Sequence, residues 1–238
     1  MLVMTDLLVF APHPDDAEIG CGGTIHAHVA RGASVVVIDA TRGEMGSRGT
    51  PQERARESEA AGRVLGLSAR ENLDLPDGHL RGEDHQARAL VIDAIRRHRP
   101  AAVLCIGANA RHPDHLALHQ LVTPAIKAAA LHRLPSPSGA PAHATARLWY
   151  YEAELPAPPS FLVPLSAENW AAKRAAIACY GSQLHRPGAT GPATAIASEG
   201  FLDAIDARGR YWGFAAGSAY AEAFIAHEMP RIQDLRTL

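Results

Sequence analysis

The chain has 238 residues, of which 47% are hydrophobic and 20% charged, with a formal net charge of −2 when its 13 histidines are neutral. That composition carries a sizeable core and excludes a disordered chain. It lacks the basic stripe of a nucleic-acid binder, and no run of 18 apolar residues is present to span a membrane. The opening "MLVMTDLLVF" has no basic n-region and reaches Asp6 early, so no secretory signal is expected. Cys21, Cys105 and Cys179 are odd in number and far apart. They read as reduced, buried thiols of a cytoplasmic protein.

In chain order, the apolar run Leu7–Ala11 predicts a first buried strand, and the stretch from Gly22 to Gly32 a helix. A second strand is expected over 34–40. Thr50 followed by Pro51 opens a helix that closes at Gly66, the cap, first-turn proline and terminal glycine each in its preferred place. A short strand at 71–75 comes next, then an amphipathic helix over 84–99 with Leu90, Val91, Ala94 and Ile95 on one face. Another buried strand ends at Gly107, and a helix is expected from about His115 to His132. The Pro/Gly/Ser-rich segment 134–145 reads as a surface loop, and whether it covers a site is left open. Two strands, over 146–153 and 161–165, and helices over 167–183 and 200–217 follow, with "AYAEAF" after them. Alternating strands and helices predict a single α/β domain. Its expected form is a mainly parallel, Rossmann-like sheet with helices on both faces, with a core over 1–133 and a C-terminal α/β extension over 146–238.

Ligands of such sheets bind beyond the carboxyl ends of the strands. Two of these ends carry ligand-type residues: "HPDD" after the first strand and "NARHPDH" after the strand ending at Gly107. Either alone reads as a helix cap, since an aspartate after a strand is a common N-cap. Two at one sheet edge read as a metal site. His13 and Asp16, three residues apart, with a distant histidine match the three protein ligands of a catalytic zinc. Asp15 is then the carboxylate placed to act as a general base. Glu18, in the first helical turn, suits either the helix dipole or support of a ligand. Cys21 reads as packing, and the Gly22–Gly23 pair is only a faint dinucleotide loop, there being no GxGxxG. After the second strand, Arg42, Arg48 and Arg54 are candidate anion clamps, while Arg56 and Arg63 read as solvated helix charges.

The motifs "APHPDDAEIGCGGT", "TRGEMGSRGTPQERARE" and "RHPDH" resemble those of the LmbE-like (PIG-L) deacetylases. The C-terminal "YGSQLH" and "FLDAIDARGRYWGFAAGSAYAEAF" are similar to the subgroup acting on N-acetylglucosaminyl-malate in bacillithiol biosynthesis. The resemblance implies a hydrolase with Zn2+, or another divalent ion, on His13, Asp16 and His115, and Asp15 as base. It implies His112 beside the carbonyl oxygen, Asp114 orienting His112, and Arg54 and Arg111 on the substrate. It further implies a small-molecule N-acetylglucosamine (GlcNAc) conjugate with an acidic aglycone as substrate, and a homo-oligomer. Pro12 departs from the usual residue before the histidine, and the role of His185 is left open. The rival readings are a deacetylase of another GlcNAc glycoside, such as an inositol conjugate or a chitooligosaccharide, and a sugar-binding module without catalysis.

Overall fold

A computed structural model describes residues 4–145, 147–152, 154–186, 188 and 191–229. Its elements are β1 (Leu7–Ala11), α1 (Asp16–Val29), β2 (Val35–Asp39), α2 (Pro51–Leu65), β3 (Ala69–Asn72), α3 (His85–His98), β4 (Ala102–Ile106) and α4 (Pro113–Ala129). They continue with β5 (Arg147–Tyr151), β6 (Phe161–Leu165), α5 (Ala167–Ala178), α6 (Phe201–Ala215) and β7 (Tyr220–Ala226). The strands form one sheet in the order β3-β2-β1-β4-β5-β7-β6. Among the described strands only β7 runs against the others, pairing antiparallel with both β5 and β6. The fold is therefore a single-domain α/β structure with a mixed, mostly parallel sheet. Continuous apolar runs explain β1, β2 and β4, which are buried throughout because helices cover both faces. Pro164 sits in β6, an edge strand, where a missing backbone donor is tolerated.

Local chemistry sets the helix ends. The Thr50 hydroxyl accepts from the Glu53 N–H, the Glu53 carboxylate accepts from the Thr50 N–H, and Gly66 closes α2 in the left-handed region. Several boundaries differ from expectation, among them α5, which ends at Ala178 rather than 183, and β5, which spans only Arg147–Tyr151. Helix α1 begins at Asp16, with Glu18 in its first turn as expected, and, unlike the span expected from Gly22, runs straight through the acidic motif. Helix α4 begins at Pro113 with His112 as its N-cap. Strand β3 lies at 69–72, in register with Val36–Asp39, because the chain turns at Asp74 (φ 54°).

The sheet order reverses between β1 and β4, neighbours whose following helices, α1 and α4, lie on opposite faces. A crevice opens at such a switch point, above the carboxyl ends of the strands. The 134–145 loop lies at the other end of the sheet. His143 contacts the carbonyl of Pro100, just before β4, and Ser138 donates to Asp93 on α3. It therefore does not cover the crevice. Cys21 and Cys105 are buried as expected, whereas Cys179, at the end of α5, is partly exposed, and all three are free thiols.

Candidate metal centre

His13, Asp15 and Asp16 follow β1, and His112, Asp114 and His115 follow β4, so adjacent strands deliver both motifs to one place. The rings of His13, His112 and His115 lie with centroids 4.8 to 5.4 Å apart. The Asp16 Oδ2 atom lies 3.1 Å from His13 Nδ1 and 3.3 Å from His115 Nε2, and accepts from the His13 backbone N–H at 3.0 Å. On its other side, His13 Nε2 faces Asp77 Oδ1 at 3.1 Å and Asp114 Oδ2 at 3.4 Å. Donor atoms of His13, His112 and His115 fall within 4.8 Å of one another, as do those of His13, Asp77 and Asp114.

These contacts test whether the residues fit a cation. Both ring nitrogens of His13 face carboxylate oxygens, yet a neutral imidazole carries one N–H. With Nε2–H donated to Asp77 and Asp114, the Nδ1 lone pair faces Asp16 Oδ2, acceptor against acceptor. Only a proton or a metal cation between them relieves that. Burial opposes charge on His13, but Asp114, Asp16 and Asp77 outweigh it and raise its pKa well above the usual imidazole value. Burial likewise opposes, and Asp16 raises, the pKa of His115. Asp16 is held well below the usual carboxylate range, the two imidazoles overcoming burial. A divalent ion replaces those protons with the same charge logic. A carboxylate behind a ligating imidazole is the usual support for a ligand histidine, and His13, Asp16 and His115 fit the set expected for zinc.

Asp15 has a different setting. It occupies the N-cap position of α1 at φ 127°, a strained backbone for a residue other than glycine, yet its side chain makes no capping hydrogen bond. Its Oδ2 instead accepts from Arg54 Nη2 at 3.1 Å. Burial pushes its carboxyl up to about 7, with Arg54 pulling it down and Asp16 pushing it up. His112 accepts the Asp114 N–H at Nδ1, which places the proton of its neutral ring on Nε2. Burial, then the charges of His13 and His115, lower its pKa and favour that neutral form.

Two expected roles change. Arg54 is only 5% exposed, and its guanidinium donates to the Pro14 carbonyl, the Gly43 carbonyl and Asp15. It holds Asp15 and the loop after β2, and it is not among the residues lining the cavity, so its guanidinium is spent on the protein itself in this structure. The Asp114 carboxylate accepts from the N–H groups of Gly78 and Leu80 and faces His13, so it supports His13 and leaves His112 to the helix cap. Glu18 neither caps α1 nor reaches a ligand; it accepts from Arg70 and Tyr180. Arg42 pairs with Asp74 at the surface, Arg48 donates to the Pro192 carbonyl, and His185 Nε2 meets Glu199 at 3.5 Å. Arg56 and Arg63 are solvated as expected.

A cavity of about 550 Å³ opens beside the centre. Asp15, Asp16 and His115 form one end, Arg111, Glu152, Glu154 and Arg208 the polar flank, and Phe201 and Ile205 of α6 part of the apolar wall. Sequence reasoning missed Asp77, Glu152 and Glu154. Asp77 sits in "LPDG", which reads as a turn, and only its place after β3 marks it as facing the crevice. Contact with His13 brings its pKa down to about 2 against the effect of burial. Glu154 lies 3.8 Å from His115 Nδ1, an atom without a hydrogen-bond partner among the described residues, and its carboxylate accepts the Arg111 N–H.

Comparison with known proteins gives a consistent picture. Residues 8–126 match the family profile PIG-L, described as GlcNAc-PI de-N-acetylase. The chain is 29% identical over 163 residues, 52% of its length and 45% of the relative's, to a 1D-myo-inositol 2-acetamido-2-deoxy-alpha-D-glucopyranoside deacetylase of Kineococcus radiotolerans. It is 32% identical over 119 residues, 46% of its length and 44% of the relative's, to a diacetylchitobiose deacetylase of Thermococcus kodakarensis. The chain thus spans about half the length of the curated relatives it matches. A solved structure of a conserved protein from Thermus thermophilus superposes with a TM-score of 0.86 at 40% identity, covering 97% of this chain and 98% of that one.

Proposed function

The chain belongs to the PIG-L family of GlcNAc-PI de-N-acetylases, and from that premise we propose that it is a metal-dependent hydrolase removing the N-acetyl group from a GlcNAc conjugate. The observation that carries this reading is Asp15. A strained, buried carboxylate, released from its capping duty and fixed by Arg54, stands beside a His–Asp–His donor set. A sugar-binding module has no use for it. His13, Asp16 and His115 would hold the ion, zinc being the first candidate, and Asp77 and Asp114 would brace His13. A bound zinc would supply Lewis acidity and a water whose pKa falls towards about 7.

The remaining chemistry belongs to the side chains. Arg54 engages Oδ2 of Asp15, so Oδ1 is the oxygen available to take a proton from water as the water attacks the acetyl carbon. The same oxygen returns that proton to the departing nitrogen, giving an amine and acetate. His112, neutral with its proton on Nε2, donates to the carbonyl oxygen as negative charge develops there. Such a donor contributes about 3–4 kcal/mol. Three free cysteines suit a reducing compartment, the cytoplasm.

The finer proposal is that the aglycone is acidic, N-acetylglucosaminyl-malate being the preferred substrate. Its support is Arg111, which lines the cavity and has no side-chain ion pair among the described residues. The rival is a neutral aglycone, inositol or a second sugar, favoured by the two curated relatives. The test is kcat/KM on N-acetylglucosaminyl-malate, N-acetylglucosaminyl-inositol and free GlcNAc, for wild type, Arg111→Ala and Arg54→Met. Arg111→Ala is expected to lose about 10- to 100-fold on the malate compound, the scale of a hydrogen bond to a charged group, and little on the others. Arg54→Met is expected to lose equally on all three, since it acts through Asp15. A wild type that prefers the inositol compound would overturn the acidic aglycone and leave the deacetylase standing.

A further inference from the structure

Helix α1 is broken at Cys21 (φ −142°, ψ 22°), between the turn that carries Asp16 and the rest of the helix. In an unbroken helix the Gly23 N–H would donate to the Ile19 carbonyl and the Thr24 N–H to the Gly20 carbonyl. Here the Glu222 carboxylate of β7 accepts both, from Gly23 at 3.1 Å and Thr24 at 2.7 Å. The Ile19 carbonyl accepts instead from Lys173 Nζ of α5 at 2.8 Å, with Arg208 Nη2 at 3.3 Å. Lys173 and Glu222 meet at 2.5 Å, exposed by 1% and 4%. A buried ion pair is therefore inserted into the hydrogen-bond ladder of the helix, each end satisfying the backbone group that the break leaves over.

The glycines of "GCGG" fit this arrangement. A Cβ on Gly23 would stand 2.5 Å from a Leu165 methyl and 3.3 Å from Glu222 Oε1, and one on Gly20 would stand 2.2 Å from the Tyr151 ring. The motif thus serves the close approach of β5, β6 and β7 to the break.

We propose that the Lys173–Glu222 pair is a positioning device for the metal centre: it sets the direction of the detached first turn of α1, and through it the placement of Asp15 and Asp16. This rests on the reading of His13, Asp16 and His115 as metal ligands. The pair touches no ligand, so its effect runs through the Ile19 carbonyl and the Gly23 and Thr24 amides. A buried pair adds little net stability over an apolar replacement, which makes its retention at this break a matter of geometry.

The experiment measures zinc affinity by competition with a chromophoric chelator, together with Tm of the metal-free protein. The chains are wild type, Lys173→Met, Glu222→Gln and Val91→Ala, the last a buried α3 residue far from the break that controls for general destabilisation. Lys173→Met and Glu222→Gln are expected to weaken zinc binding about 10- to 100-fold, the scale for groups that orient metal ligands, while Val91→Ala keeps the wild-type affinity despite a lower Tm. If Lys173→Met does not fold, Lys173→Arg, which keeps the charge but changes the reach, is expected to show a smaller loss of the same sign. Wild-type affinity in both pair variants, or a loss matched by Val91→Ala, would overturn the proposal. A wild type that binds no zinc, manganese, cobalt or nickel would instead overturn the metal centre.

Discussion

Alanine at His13, Asp16 or His115 is expected to abolish stoichiometric zinc and amine release together. Each residue supplies one donor, and Asp16 Oδ2 lies within 3.3 Å of the nearer nitrogen of both histidines, so removing any one leaves two ligands and an open flank. His13→Ala carries a second consequence. It removes the imidazole from Asp77 Oδ1 and Asp114 Oδ2, both buried, leaving Asp77 with the Met45 N–H and Asp114 with the Gly78 and Leu80 N–H groups, so part of the about 3–5 kcal/mol cost of breaking a buried pair is expected. Its Tm should therefore fall further than that of His115→Ala, whose Nδ1 has no hydrogen bond among the described residues. Metal content by atomic emission and amine release by fluorescent labelling check both halves. Full zinc occupancy in all three variants would mean that the ion, if there is one, sits elsewhere.

Asparagine at Asp15 is expected to retain zinc and fold and to lower kcat by about 10²–10⁴-fold, the usual contribution of a general base. Asparagine is the informative choice for two structural reasons. It tolerates positive φ better than most residues, so the turn at φ 127° survives. Its side-chain oxygen still accepts from Arg54, so the loop after β2 stays in place. What it lacks is the capacity to take a proton. KM should change little, because the loss is confined to the reacting step. Near-normal turnover in this variant would assign the proton transfer to another group, Glu152 and Glu154 being carboxylates on the same cavity wall.

Much of this was legible in the residues. Strands β1 and β6 fall on their expected ranges because each is a short apolar run bounded by turn chemistry, and α2 because its capping box, proline and glycine are all local signals. The two histidine-bearing motifs were placed at one sheet edge from the βα alternation alone. What escaped depended on direction and depth. Sequence shows that Arg54 stands one turn into α2, but not that its guanidinium turns inward to Asp15 rather than outward to a ligand. It shows an aspartate in a Pro-Asp-Gly turn, but not that β3 ends beside His13. The break in α1 was missed because Gly22 and Gly23 conceal a contact with Glu222 of β7, far along the chain, which no local pattern encodes.

The most direct test of the deacetylase reading is the product ratio. Zinc-loaded wild-type protein is given N-acetylglucosaminyl-malate, N-acetylglucosaminyl-inositol or free GlcNAc, and acetate and primary amine are quantified in the same reaction. Equal amounts of acetate and amine are predicted from at least one of the three, with no release of the aglycone and no turnover by Asp15→Asn above its expected residue. Absence of acetate from all three substrates, or amine released without an equal amount of acetate, would contradict it.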